Sequence, residues 1–157
     1  MSDTDVLARS QSMEYLSFQV GGEDYAIDIR LVREIRGWTT PSPMPDAPAF
    51  VLGVINLRGE VLPLLDLAAR LGLTTQDATE RNVTIVAEVD NGQIGLLVDA
   101  VSDIVVLSED DMQPAPDIAN AGQQSSVRAL TFIGEETVRI LDLEAILPMM
   151  NAAQDQT

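Results

Sequence analysis

Leu16, Phe18 and Val20 alternate with Ser17 and Gln19, the two-residue period of a strand with one buried face. Gly21-Gly22-Glu23-Asp24 turns this strand into a second one over residues 25–29. The same grammar returns at residues 83–89, which Asp90-Asn91-Gly92 turns into residues 93–98. Between these hairpins, Val54, Ile55 and Leu57 lead into a turn at Arg58-Gly59-Glu60, and Val61, Leu62, Leu64 and Leu65 leave it. The glycine supplies the positive φ that a short connection requires. Asp66 then stands where a helix N-cap belongs, with Leu67 and Leu71 on one face and Gly72 at the end.

This pattern occurs twice. Residues 25–35 align with residues 94–104, so that Ile27 falls on Leu96, Ile29 on Val98, Val32 on Val101, Glu34 on Asp103 and Ile35 on Ile104. Leu64-Leu65-Asp66-Leu67 likewise aligns with Ile140-Leu141-Asp142-Leu143. The offsets, 69 and 76 residues, differ by a longer loop in the second half. In each half a proline-punctuated connection (Pro41, Pro43, Pro45 and Pro48, then Pro114 and Pro116) precedes the second hairpin. Prolines deny ladder donors, so these connections are expected to run as extended loops off the sheet. About ten short strands in two matching sets predict an all-β fold of two small barrels, whose closure hides sheet edges. Residues 1–13 and 151–157 are polar and without strong periodicity, and are read as flexible tails.

Composition narrows the chemistry. The 157 residues contain no His, no Cys and no Lys; all nine cations are Arg. The usual general base, thiol nucleophile, Schiff-base amine and zinc ligands are therefore missing. No Asp-x-Asp-x-Asp-Gly calcium loop occurs, and Glu109-Asp110-Asp111 after Ser108 reads as the first turn of a short helix. No cofactor is implied. The net charge is −16, with six Arg against twelve acids through residue 80 and three against thirteen thereafter. Such a surface repels nucleic acid and anionic lipid. No apolar run approaches the ~20 residues of a membrane span, and the N-terminus lacks a secretory pattern, so a cytoplasmic location is expected.

Five stretches in order carry a family resemblance. They are Val32-Arg33-Glu34-Ile35-Arg36-Gly37, residues 48–59, Pro63-Leu64-Leu65-Asp66-Leu67, Asp99-Ala100-Val101-Ser102-Asp103-Ile104 and Gln113-Pro114-Ala115-Pro116. Together they resemble the CheW family of chemotaxis coupling proteins. The resemblance covers residues 14–150 and implies a single CheW-like domain. Its lobes would be residues 14–80 and 81–143, with a closing short helix at 143–150. It further implies two five-stranded SH3-like barrels around a shared hydrophobic seam, no catalysis, and an adaptor role. The implied partners are the signalling tip of methyl-accepting chemoreceptors, the regulatory domain of a CheA-type histidine kinase, and other CheW-like domains in rings. The implied location is the inner face of the membrane, reached through receptor arrays.

Carried onto this chain, the resemblance places receptor contact on Ile29, Val32, Glu34 and Arg58, with Val98 and Val101 on the facing lobe. An apolar groove accepts the amphipathic face of a helical hairpin; ordinary barrel core would use the same Ile and Val residues. Glu34 and Arg58 are expected to pair across the first lobe, and Arg36 lies two residues from Glu34, on the same side of a strand. Two unrelated solvated charges would fit the spacing equally. Arg36, Gln113 and Ile118 mark the kinase or ring surface. Here the chain departs from the family, with Gln113 where well-known members carry a basic residue and Ile118 where they carry an aromatic anchor. Trp38 is expected to pack rather than bind. Two other functions remain open: an adaptor for a CheA-like kinase with another output, such as twitching motility, and a carboxylate enzyme using Asp66 and Asp142. Both aspartates also fit helix N-caps.

Overall fold

The anticipated hairpins form, but they pair across the two halves of the chain. A computed structural model describes residues 12–73, 78–90, 92–114 and 126–146. The strands of the first half are β1 (Met13–Val20), β2 (Glu23–Asp28), β3 (Val32–Gly37), β4 (Val51–Leu57) and β5 (Glu60–Asp66). Those of the second are β6 (Val83–Val89), β7 (Gly92–Val98), β8 (Ala100–Leu107), the two-residue β9 (Gln113–Pro114), β10 (Val127–Ile133) and β11 (Glu136–Leu141). One-turn helices follow β5 (Leu67–Arg70) and β11 (Leu143–Ile146). A 3-10 turn at Ile29–Leu31 joins β2 to β3. Strand β1 begins at Met13, inside the stretch expected to be a tail. Ile118 and residues 147–150 of the expected closing helix lie outside the described residues.

Sheet order shows the exchange. One sheet runs β8-β1-β2-β11-β10-β9 and the other β3-β6-β7-β5-β4. Each half thus gives its first hairpin to the other half's sheet, and parallel pairs, β2 with β11 and β5 with β7, join the contributions. Replacing each strand by its repeat partner (β1 by β6, β2 by β7, β3 by β8, β4 by β10, β5 by β11) converts one five-strand order into the other. The lobes are therefore not the contiguous stretches 14–80 and 81–143. The repeat describes two similar sheets, each drawn from both halves.

Three apolar clusters fill this frame. The largest is the seam between the sheets, built from Leu16, Phe18 and Ile27 on one side and Ile85, Leu96 and Val98 on the other. A second lies within the six-stranded sheet around Tyr15, Val138 and Ile140. A third lies within the five-stranded sheet around Ile55, Leu64 and Val86, with Trp38 packed against it as expected. Strand β6 serves two of them, since Ile85, Ala87 and Val89 face the seam while Val86 faces the third cluster. Two-sided burial explains its nearly continuous apolar sequence.

The proline segments strap the sheets instead of running off them. Ser42 exchanges two backbone hydrogen bonds with Val54, donating at 2.9 Å and accepting at 2.8 Å. Gln113 and Pro114 pair with Leu130 and Ala129. The residues between the prolines keep their own N–H groups, which is why an alternating proline pattern still permits a bridge. Gly53 makes the first strap possible: its φ is +149°, and an added Cβ would stand 2.2 Å from the Ser42 carbonyl oxygen.

Candidate functional site

The site is built where the five-stranded sheet curls on itself. Strand β3 is one edge of that sheet and β4 the other. Even so, Arg58, at the tip of the β4–β5 hairpin, donates from Nη2 to Glu34 Oε1 on β3 at 2.6 Å. This ion pair spans the open side of the barrel. Arg36 Nη1 reaches the other carboxylate oxygen, Oε2, at 3.3 Å. The three charges form the expected pair enlarged by one member.

The tip is shaped for this contact. Arg58 has φ +54° and Gly59 φ +85°, the two positive values of a tight hairpin turn. Asn56 Oδ1 accepts the Gly59 N–H at 2.9 Å and holds the loop. A positive φ is unusual for Arg and stores backbone strain. The Arg58 guanidinium, followed in effect by its charge and by Arg36, holds the Glu34 carboxyl below its usual range. Glu34 in turn raises Arg58. Both groups remain at the surface, with Arg58 73% exposed, so the pair orients the tip more than it stabilises the fold. The second half has no counterpart: Asp103, aligned with Glu34, accepts from the Ile104 amide, and the β10–β11 tip reads Gly134-Glu135.

Apolar residues occupy the other face of β3. Val32 and Ile35 stand opposite Ala87 and Ile85, which belong to the seam. Cross-strand partners share a face, so the seam surface continues outward along this edge strand. On β8, Val101 stands opposite Phe18 and Ile104 opposite Leu16, again seam residues. Ile29, Val32 and Val101 are half-buried against the seam cluster. Ile35 and Ile104, paired by the internal repeat, are 48% and 51% exposed, and Val106 is 63% exposed. These three extend the apolar margin and were not among the residues expected to bind. The alignment of Ile35 with Ile104 was the available signal for those two; edge-strand position was the missing one for all three. Val98, expected at the contact, is 1% exposed in the seam core and offers no surface to a partner.

The second expected surface lies on the six-stranded sheet. Gln113 is exposed on β9, opposite Leu130. Phe132, two residues beyond Leu130 and so on the same face, is 57% exposed. A large aromatic is thus present beside Gln113, on β10, whereas sequence comparison placed the anchor position at residue 118. Asp66 and Asp142 cap the two short helices, accepting amides of Ala69 at 3.4 Å and Glu144 at 3.0 Å. They line separate clefts of about 410 and 470 Å³, so the two carboxylates do not converge. Among the described residues, no group of three or more acidic side chains could hold a metal ion, and no helix is long and apolar enough to cross a membrane.

Comparison with known proteins decides the family. The CheW-like domain matches residues 14–150. The chain belongs to the CheW-like family. It is 49% identical to a chemotaxis protein CheW of Rhizobium meliloti over 135 residues, 86% of this chain and 87% of that one. It is 30% identical to a chemotaxis protein CheW of Bacillus subtilis, covering 83% of each. The crystal structure of a scaffolding CheW protein from Thermoanaerobacter tengcongensis superposes with a TM-score of 0.78 at 26% identity, over 86% of this chain and 92% of that one. As a CheW-like protein the chain serves as a coupling adaptor in chemotaxis, and its mostly β, two-sheet architecture is the CheW fold.

Proposed function

We propose that this adaptor is noncatalytic and couples methyl-accepting chemoreceptors to the regulatory domain of a CheA-type kinase in the cytoplasm, at the inner face of the membrane. Receptor contact falls on the apolar margin of the two edge strands and the turn before β3: Ile29, Val32 and Ile35 on one side, Val101, Ile104 and Val106 on the other. Glu34 and Arg58 flank that margin and select the partner's orientation. Kinase or ring contact uses Arg36 near the same tip and, on the other sheet, Gln113 with Phe132 as its aromatic anchor. Ile118 belongs to that second surface by its sequence position.

The observation that carries the reading is the charged triad at the β4–β5 tip. Arg58 is held in a strained backbone conformation for a solvent-exposed ion pair, and such strain concentrates at functional positions. The apolar stripe on the opposite face of β3 supplies the contact area that a helical partner needs. Binding of a chemoreceptor signalling fragment and of a CheA regulatory domain, each titrated separately, tests the proposal. Micromolar affinity for both is expected, with Glu34→Lys weakening at least one while the unfolding midpoint stays unchanged. No binding to either at micromolar concentration would overturn it.

A further inference from the structure

Arg70 ends the first one-turn helix and is half-buried. Its guanidinium carbon lies 5.6 Å from the centroid of the Phe50 ring. Its Nη2 donates to the carbonyl oxygen of Ala145 at 3.1 Å. Ala145 belongs to the second one-turn helix, so this single bond ties together the two elements that the repeat makes equivalent. The rest of the group is poorly served. Nε is shut off from solvent with no acceptor, and burial pulls the guanidinium pKa below its ordinary value.

The repeat shows what this position holds when packing alone decides. Extending the alignment of Asp66-Leu67 with Asp142-Leu143 places Arg70 opposite Ile146. Ile146 is fully buried in the seam. A cation with an unmatched donor destabilises a site that an aliphatic side chain fills without penalty. Stability of the fold therefore does not account for Arg70.

Position does. Leu143 and Ile146 belong to the seam cluster against which Ile29, Leu31 and Val32 pack. Leu143 and Glu144 also line one cleft together with Arg30 and Leu31. The second helix is thus the floor beneath the 3-10 turn and the start of β3. We propose that Arg70 is a positioning residue: by holding the second helix through Ala145, it sets the Ile29–Val32 wall for a receptor helix, at some cost to fold stability. This rests on the receptor-contact assignment above.

Arg70→Met keeps an apolar stem over Phe50 and removes the donor. Its urea midpoint should equal or exceed that of the wild type. Amide exchange at residues 143–146 should rise about tenfold relative to β6 and β7. Affinity for a chemoreceptor signalling fragment should fall about fivefold, with affinity for a CheA regulatory domain within about twofold. Arg70→Lys, which retains a donor, should recover part of the receptor affinity. A fall in stability with both affinities falling together would make Arg70 merely structural and overturn the proposal, as would unchanged exchange or unchanged receptor affinity. If the wild type binds no receptor fragment, the receptor-contact assignment fails, and the exchange at 143–146 alone decides whether Arg70 holds the helix.

Discussion

Gly53→Ala should be among the most damaging single-methyl additions in the chain. The new Cβ would meet the Ser42 carbonyl oxygen at 2.2 Å, its carbon at 2.8 Å and Pro41 Cβ at 3.1 Å. All belong to the strap or its neighbour, and two of the three atoms are backbone, so no side-chain rotation relieves the clash. Moving the strap away breaks both hydrogen bonds between Ser42 and Val54. At about 0.5–1.5 kcal/mol net each, these account for roughly 1–3 kcal/mol. The φ of +149° adds strain of order 1–3 kcal/mol for any L side chain that stays there. A total of about 2–6 kcal/mol is a large share of the 5–15 kcal/mol typical of a domain. Urea denaturation measures it, with Gly37→Ala as control: that glycine is also in the five-stranded sheet, and its added Cβ meets nothing within 4 Å. Gly37→Ala should change stability by less than about 0.5 kcal/mol. A Gly53→Ala variant within the same half kcal/mol of wild type would refute the strap as a structural element.

Three further outcomes follow from the site. Ile104→Ser and Val106→Ser, at exposed positions of an edge strand, should leave stability within about 0.5 kcal/mol and reduce receptor-fragment binding, whereas Val98→Ala should cost roughly 1–3 kcal/mol and affect binding only through unfolding; titration calorimetry with parallel denaturation separates them. The Glu34 carboxyl is held low chiefly by Arg58, so the ion pair is intact above the ordinary glutamate range and is lost as pH falls through the depressed folded value; Arg58→Gln should move the Glu34 midpoint, followed by carboxyl NMR shifts, back up. Because each sheet contains strands of both halves, Trp38 fluorescence, reporting on the five-stranded sheet, and far-UV circular dichroism should give coincident urea transitions; two separated midpoints would contradict the exchanged topology.

Much of this arrangement was legible in the sequence. Hairpins, helix caps at Asp66 and Asp142, and the repeat all follow from local pattern and turn chemistry, and local rules act within a few residues. The Glu34–Arg58 pair was accessible because two charges stood beside strongly apolar strands. What local pattern does not encode is which strands become neighbours. Residues 25–29 and 94–98 look equally fit to pair with either half, and the choice rests on the seam, where Phe18, Ile27, Ile85 and Leu96 meet only after the hairpins cross. The same gap explains why Val98 was expected at the surface and is not found there. Val98 and Val101 are three residues apart in sequence, yet the first belongs to a central strand and the second to an edge. Burial follows from that difference, not from side-chain type.

The exchange also bears on how an adaptor can keep two surfaces in fixed relation. The triad sits on the five-stranded sheet and the Gln113–Phe132 face on the six-stranded one. Had each half closed its own sheet, the twelve residues between Arg70 and Val83 would be the sole covalent link, and the sheets could shift as separate lobes. With hairpins exchanged, that stretch joins two strands of the five-stranded sheet, and the 3-10 turn at Ile29–Leu31 and the single residue Asp99 are what cross from one sheet to the other. Asp99 is pinned as well: its amide donates to the Gln19 carbonyl at 2.9 Å and its carboxylate accepts from Gly21 at 2.8 Å. Short, bonded crossings leave little freedom for one sheet to rotate on the other. The edge strands β3 and β8, to which we assign receptor contact, begin directly after those two crossings, so the elements that fix the sheets also fix the proposed surfaces.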